Sequence, residues 1–100
     1  MATYKFGFIG TGNMGSALAR AVSKSVSGDE ILLTDASSKK AQLLAEELNC
    51  SYTETEKVAL MAKYIFLGVK PQMMEDLLKT IAPILKGRKD HFVLISMAAG

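Results

Sequence analysis

Cysteine is nearly absent from this 100-residue sequence: Cys50 is the only one, so neither an intrachain disulfide nor a cysteine cluster for zinc can form. That suits a reducing compartment, and Cys50 itself reads as a small buried hydrophobe. Histidine is equally scarce, and His91, the single one, reads as a surface or capping residue. No sign of charge predominates. Twelve basic and ten acidic residues leave a net charge of +2, and the longest basic cluster, Lys86-Gly87-Arg88-Lys89, is broken by glycine and followed by Asp90. This argues against a nucleic-acid footprint, and the cluster reads as a solvated turn after a helix. Long apolar runs are missing too. The run after Lys5 is cut by Gly7, Gly10, Gly12 and Asn13, unlike a signal peptide, and none approaches the ~20 residues that a membrane span requires. The expectation is a soluble, cytoplasmic protein with no nucleic-acid or membrane partner.

What is present is ordinary for one globular domain, 49% hydrophobic and 22% charged. A chain of this size buries roughly 60–70% of its unfolded surface. It is short for an enzyme with a separate substrate domain, so a binding domain or a fragment is expected. The organising stretch is Phe6 to Gly15, in which Gly10, Gly12 and Gly15 stand in G-x-G-x-x-G spacing between an apolar run and a helical pattern. In that motif the first glycine permits the turn, the second admits a pyrophosphate close to the backbone, and the third lets helix and strand pack. The N–H groups opening the helix then face phosphate, so residues 1–100 read as a dinucleotide-binding domain.

The rest of the chain supplies the context. Lys5–Ile9 is the first expected strand, and Met14, Ala17, Leu18, Ala21 and Val22 mark the buried face of the helix after it. Ile31–Thr34 is the second strand, with Asp35 at its carboxyl end, twenty residues past Gly15, where dinucleotide folds place an acid on the adenosine ribose. Ser37 or Ser38 can cap a helix with Ala41, Leu44, Ala45 and Leu48 inward, and Asn49 can end it in a left-handed conformation. Cys50–Tyr52 gives a short third strand, and Thr53 with Glu56 offers a capping box. Tyr64–Val69 is the fourth strand, stopped by Lys70-Pro71. Met73 or Met74, Leu77, Leu78, Ile81 and Leu85 mark a further helix that Pro83 should kink or break, and Phe92–Ser96 is the fifth strand. Strands alternating with helices predict an α/β class, a Rossmann-like parallel sheet of order 3-2-1-4-5 with helices on both faces. Its strand ends at Gly10, Asp35, Thr53, Lys70 and Ala98 would share the ligand-binding edge.

The cofactor signals conflict. A carboxylate at Asp35 favours a ribose diol and repels a 2′-phosphate, which reads as NAD, whereas Ser37, Ser38 and Lys39 can offer donors to that phosphate. The chemistry alone leaves the choice open.

Three motifs in order, Phe8-Ile9-Gly10-Thr11-Gly12-Asn13-Met14-Gly15, Gly68-Val69-Lys70-Pro71-Gln72 and Ser96-Met97-Ala98-Ala99-Gly100, resemble the pyrroline-5-carboxylate reductases. The first is shared with other dehydrogenases, including the 6-phosphogluconate and 3-hydroxyisobutyrate types, so the other two discriminate. The resemblance implies reduction of the C=N bond of 1-pyrroline-5-carboxylate to L-proline, with NADPH preferred and NADH used by some members. It places Ile9, Gly10, Thr11, Gly12, Asn13 and Met14 at the pyrophosphate, and Ser37 with its neighbours at the adenosine end. Gly68, Val69, Lys70, Pro71, Met97, Ala98 and Ala99 would flank the nicotinamide ribose and ring. Relatives often carry an asparagine near Thr55 that touches the adenosine ribose, so Thr55 or Glu54 would serve here; Asp35 is unusual for a phosphate-binding loop. The family's helical carboxyl-terminal domain, which makes the dimer and closes the substrate pocket, is absent from these residues. A homo-oligomer is expected only with it, and the chain alone should catalyse little, because hydride transfer depends on positioning. Neither a metal nor a protein nucleophile is implied, and no catalytic acid is assigned. A hydroxy-acid dehydrogenase and a non-catalytic nucleotide-sensing module remain as alternatives.

Overall fold

In the computed structural model, which describes residues 3–97, a five-stranded sheet carries helices on both faces. The elements in chain order are β1 (Tyr4–Ile9), α1 (Asn13–Ser23), a 3-10 turn (Gly28–Glu30), β2 (Ile31–Thr34), α2 (Ser38–Leu48), β3 (Ser51–Tyr52), α3 (Thr55–Met61), β4 (Ala62–Leu67), α4 (Pro71–Lys86) and β5 (Val93–Ser96). The order is β3-β2-β1-β4-β5, as the alternation of strands and helices predicts, and every pairing is parallel. Side chains alternate across β2: Ile31 and Leu33 join Phe8, Ala19, Leu44 and Ala45 under α1 and α2, while Leu32 joins Val58, Ile65 and Ile81 under α3 and α4. No helix among the described residues is long and apolar enough to cross a membrane.

Helix α2 follows its sequence pattern. Ser37 caps it by accepting from the Lys40 N–H at 3.4 Å, and Asn49 ends it at φ 56°. Strand β2 has the expected bounds, the other strands shift by one or two residues at one or both edges, and some side-chain readings need correcting. Helix α1 turns Gly15, Leu18, Ala19 and Val22 inward, one residue out of phase with the expected face, and leaves Met14 58% exposed. Gly15 sets this phase, since a Cβ there would collide with the Gly10 carbonyl oxygen. The Thr53–Glu56 capping box does not form: α3 is capped by Glu54, with no side-chain bond. Pro83 does not break α4, which continues to Lys86, and Leu78 lies outside its buried face.

In the basic turn Lys86, Gly87 and Lys89 are exposed as expected, but Arg88 is not. The Arg88 side chain is 2% exposed; its Nη1 donates to the carbonyls of Ala59 and Ala62, both at 2.7 Å. Its Nε and Nη2 grip the two Asp90 oxygens at 2.9 and 2.6 Å, and its guanidinium lies over the Phe92 ring. The α3 carbonyl at residue 59, at a helix end where acceptors lack intrahelical partners, thus receives a donor from 29 residues away.

Candidate functional site

Three glycines lock the carboxyl ends of β1 and β4 together. Gly10 adopts φ +99°, and a Cβ on it would lie 2.7 Å from the carbonyl atoms of Gly68. Its N–H donates to the Thr34 carbonyl at 2.9 Å, while the Gly68 N–H donates to Ile9 at 2.8 Å and the Met97 N–H to Leu67 at 2.9 Å. The Met97 methyl group packs beside Gly68 and Gly15. Predicted residues Gly10, Gly68 and Met97 therefore meet; Ala98 and Ala99 lie outside the described residues.

Gly12 differs from its neighbours. It caps α1 at φ −72° and ψ −162°, which any residue can adopt, and a Cβ there would meet nothing within 4 Å. The fold has no steric need for a glycine at this point, and the exposed backbone is open to close approach. Beside it the first turn of α1, begun by Asn13 and Met14, receives no side-chain cap and contains no acid, so its N–H groups are suited to an anion.

Asp35, at the end of β2, is firmly held. Its Oδ2 accepts from the N–H of Thr11 at 2.6 Å and from the Thr11 hydroxyl at 2.8 Å, and its Oδ1 accepts from the Ser37 N–H at 2.9 Å. Burial pushes the carboxyl up, but the bonds from Ser37 and Thr11, with the charge of Lys40, outweigh it and hold Asp35 below the ordinary carboxylate range. Two clefts meet at this residue. One of about 440 Å³ is lined by Asp35, Ser38, Tyr52, Thr53, Glu54 and Thr55 among others, and one of about 180 Å³ by Ile9, Gly10, Asp35, Ala36, Thr55 and Val69 with Met73, Asp76, Leu77 and Thr80 of α4. Thr55 opens α3 and borders both. Lys70 caps α4 with Pro71 at its first position, and Lys70 and Lys39 are both exposed.

The α4 contribution is only partly legible: Met73 falls near the cofactor edge but, with Leu77 at helical spacing, reads as core packing, and Asp76 and Thr80 carry no signal until the cleft is seen. His91 is exposed just before β5, at the opposite end of the sheet from the glycine turn. Cys50 is half-buried, and burial pushes its thiol up to about 11.

Residues 5–100 match the protein family described as NADP oxidoreductase, coenzyme F420-dependent. The chain is 35% identical over 100 residues to the pyrroline-5-carboxylate reductase of Staphylococcus haemolyticus, an alignment that covers 96% of this chain and 36% of that protein. Among solved structures it resembles a pyrroline-5-carboxylate reductase from Coxiella burnetii, with a TM-score of 0.84 and 27% identity over 98% of this chain and 36% of that one. It also resembles Plasmodium falciparum pyrroline carboxylate reductase with NADP bound, with a TM-score of 0.73 and 29% identity over 98% of this chain and 34% of that one. The chain thus spans about a third of the length of these relatives.

Proposed function

The chain belongs to the NADP oxidoreductase, coenzyme F420-dependent family, and from that membership we propose that it is the NADP(H)-binding domain of an oxidoreductase that reduces the C=N bond of 1-pyrroline-5-carboxylate to L-proline. The observation that carries the reading is Gly12, a glycine at the mouth of α1 that the fold does not need and a diphosphate does. The NADP-bound Plasmodium relative supports the cofactor, and the similarity to pyrroline-5-carboxylate reductases supports the substrate.

In this reading Ile9, Gly10, Thr11, Gly12, Asn13 and Met14 bind the diphosphate by backbone donors and the α1 dipole. Asp35, Ser37, Ser38, Lys39 and Thr55 surround the adenosine end. Gly68, Val69, Lys70, Pro71 and Met97, with Ala98 and Ala99, flank the nicotinamide end. When bound, a reduced nicotinamide supplies hydride to the imine carbon. The chain's own task is to hold that donor in place; a helical domain like that of the pyrroline-5-carboxylate reductases would close the substrate pocket and form the homo-oligomer, and the whole enzyme would act in the cytoplasm.

Titration with NADPH and NADH tests the reading: binding at high micromolar concentration or below is expected, and absence of both overturns it. For the substrate, 1-pyrroline-5-carboxylate is expected to drive NADPH oxidation by the enzyme that carries this domain. Oxidation of a hydroxy acid in its place would assign the domain to a different reductase class.

A further inference from the structure

We propose that Asp35 is a positioning residue that shapes the diphosphate turn through Thr11, and is not the reader that separates NADH from NADPH. The inference rests on the dinucleotide-binding reading above and goes on to assign the role of one residue within it. An ionised carboxylate offers about four lone-pair directions. Here Thr11 takes two of them on Oδ2 and Ser37 one on Oδ1, so only one remains, whereas a ribose diol presents two hydroxyl groups. Both Thr11 donors come from the residue between Gly10 and Gly12, so the bond across 24 residues fixes the peptide that leads into the first N–H groups of α1. Thr11 is 8% exposed, so its hydroxyl has little access to water as a substitute partner. The negative charge stands beside an anion site, but three donors and the neighbouring Lys40 share it.

The test titrates the wild-type chain and the variants Thr11→Val, Thr11→Ser, Asp35→Asn and Thr11→Val/Asp35→Asn with NADPH, NADH and inorganic pyrophosphate, the last by displacement of NADPH. Thr11→Val keeps the side-chain volume and the backbone bond to Oδ2 but removes the hydroxyl. It is expected to weaken all three ligands by one common factor, on the order of tenfold for a lost bond to a charged group, and Thr11→Ser to recover most of that loss. Asp35→Asn is expected to weaken all three alike and leave the NADPH-to-NADH ratio unchanged, and the double variant to lose no more than Asp35→Asn alone, because one interaction is being removed twice. A changed ratio with pyrophosphate unaffected would make the carboxylate a ribose reader and overturn the proposal. Tighter pyrophosphate binding by Asp35→Asn would also overturn it, since the charge would then only oppose the anion. Should Asp35→Asn fail to fold, as judged by circular dichroism, the Val and Ser variants of Thr11 decide alone: equal affinities in the two overturn the proposal. Failure of the wild type to bind any of the three ligands overturns the dinucleotide reading instead.

Discussion

Single residues divide here into those the fold requires and those it leaves for something else. A methyl group at Gly12 meets nothing, so Gly12→Ala is expected to change unfolding free energy by less than about 1 kcal/mol while lowering NADPH affinity at least tenfold; Gly10→Ala, strained at φ +99°, should unfold at visibly lower denaturant. Chemical denaturation beside NADPH titration separates the two effects. Arg88→Met strips the donors from the Ala59 and Ala62 carbonyls and is expected to cost about 3 kcal/mol in the same unfolding measurement. Its partner supplies a pH signature: the hydrogen bonds from Arg88 hold the Asp90 carboxyl at about 2 against an ordinary 3.8. A depressed carboxyl stabilises the fold above its unfolded value. That contribution should therefore vanish as pH falls from about 4 to about 2, and Arg88→Met should flatten the stability profile there. The glycines were legible in the sequence, because their spacing is local. Arg88 was not, because its acceptors lie 26 and 29 residues earlier and a charged turn beside glycine looks the same whether it is wet or buried.

Among the elements, α2 was the most legible, since cap, apolar stripe and left-handed terminator agree. Helix α1 shows how periodicity fails: its apolar residues are small and almost continuous, so their pattern admits two phases, and Gly15 against the Gly10 carbonyl selects one of them. Helix α4 shows why a proline is a weak stop near a helix end. Pro83 removes one donor, yet the last turn is closed by the Gly87 N–H to Ile84 at 3.2 Å and the Arg88 N–H to Leu85 at 3.1 Å. Pro83→Ala restores the missing donor at an exposed position and loses some stiffness in the unfolded chain. The expected net effect is a gain of about 1 kcal/mol, a rise of roughly 4–8 °C in the melting midpoint.

For the whole molecule, alternation of elements and right-handed crossovers were enough to order the strands, because few other arrangements satisfy both. The clefts were not readable in the same way, since they depend on how α4 lies beside the β2 end. Strand order also predicts a gradient of protection: β1 and β4 are paired on both sides, while β3 and β5 each have one partner. Amide hydrogen exchange is expected to be slowest at Phe8 and Ile65 and fastest in Ser51–Tyr52 and Val93–Ser96, with α2 between them. Equal rates across the sheet would contradict that gradient.

The passage from α3 to β4 leaves no residue between Met61 and Ala62, and it has no glycine to turn on. Arg88 stands in for a loop there by satisfying the carbonyls on either side. A joint of that kind has no slack. Inserting even one residue between Met61 and Ala62 would carry the two carbonyls away from a guanidinium that is itself anchored, so length variation in this protein belongs at Lys24 and Ser25, which are exposed and whose N–H groups reach only back to Ala21 and Val22.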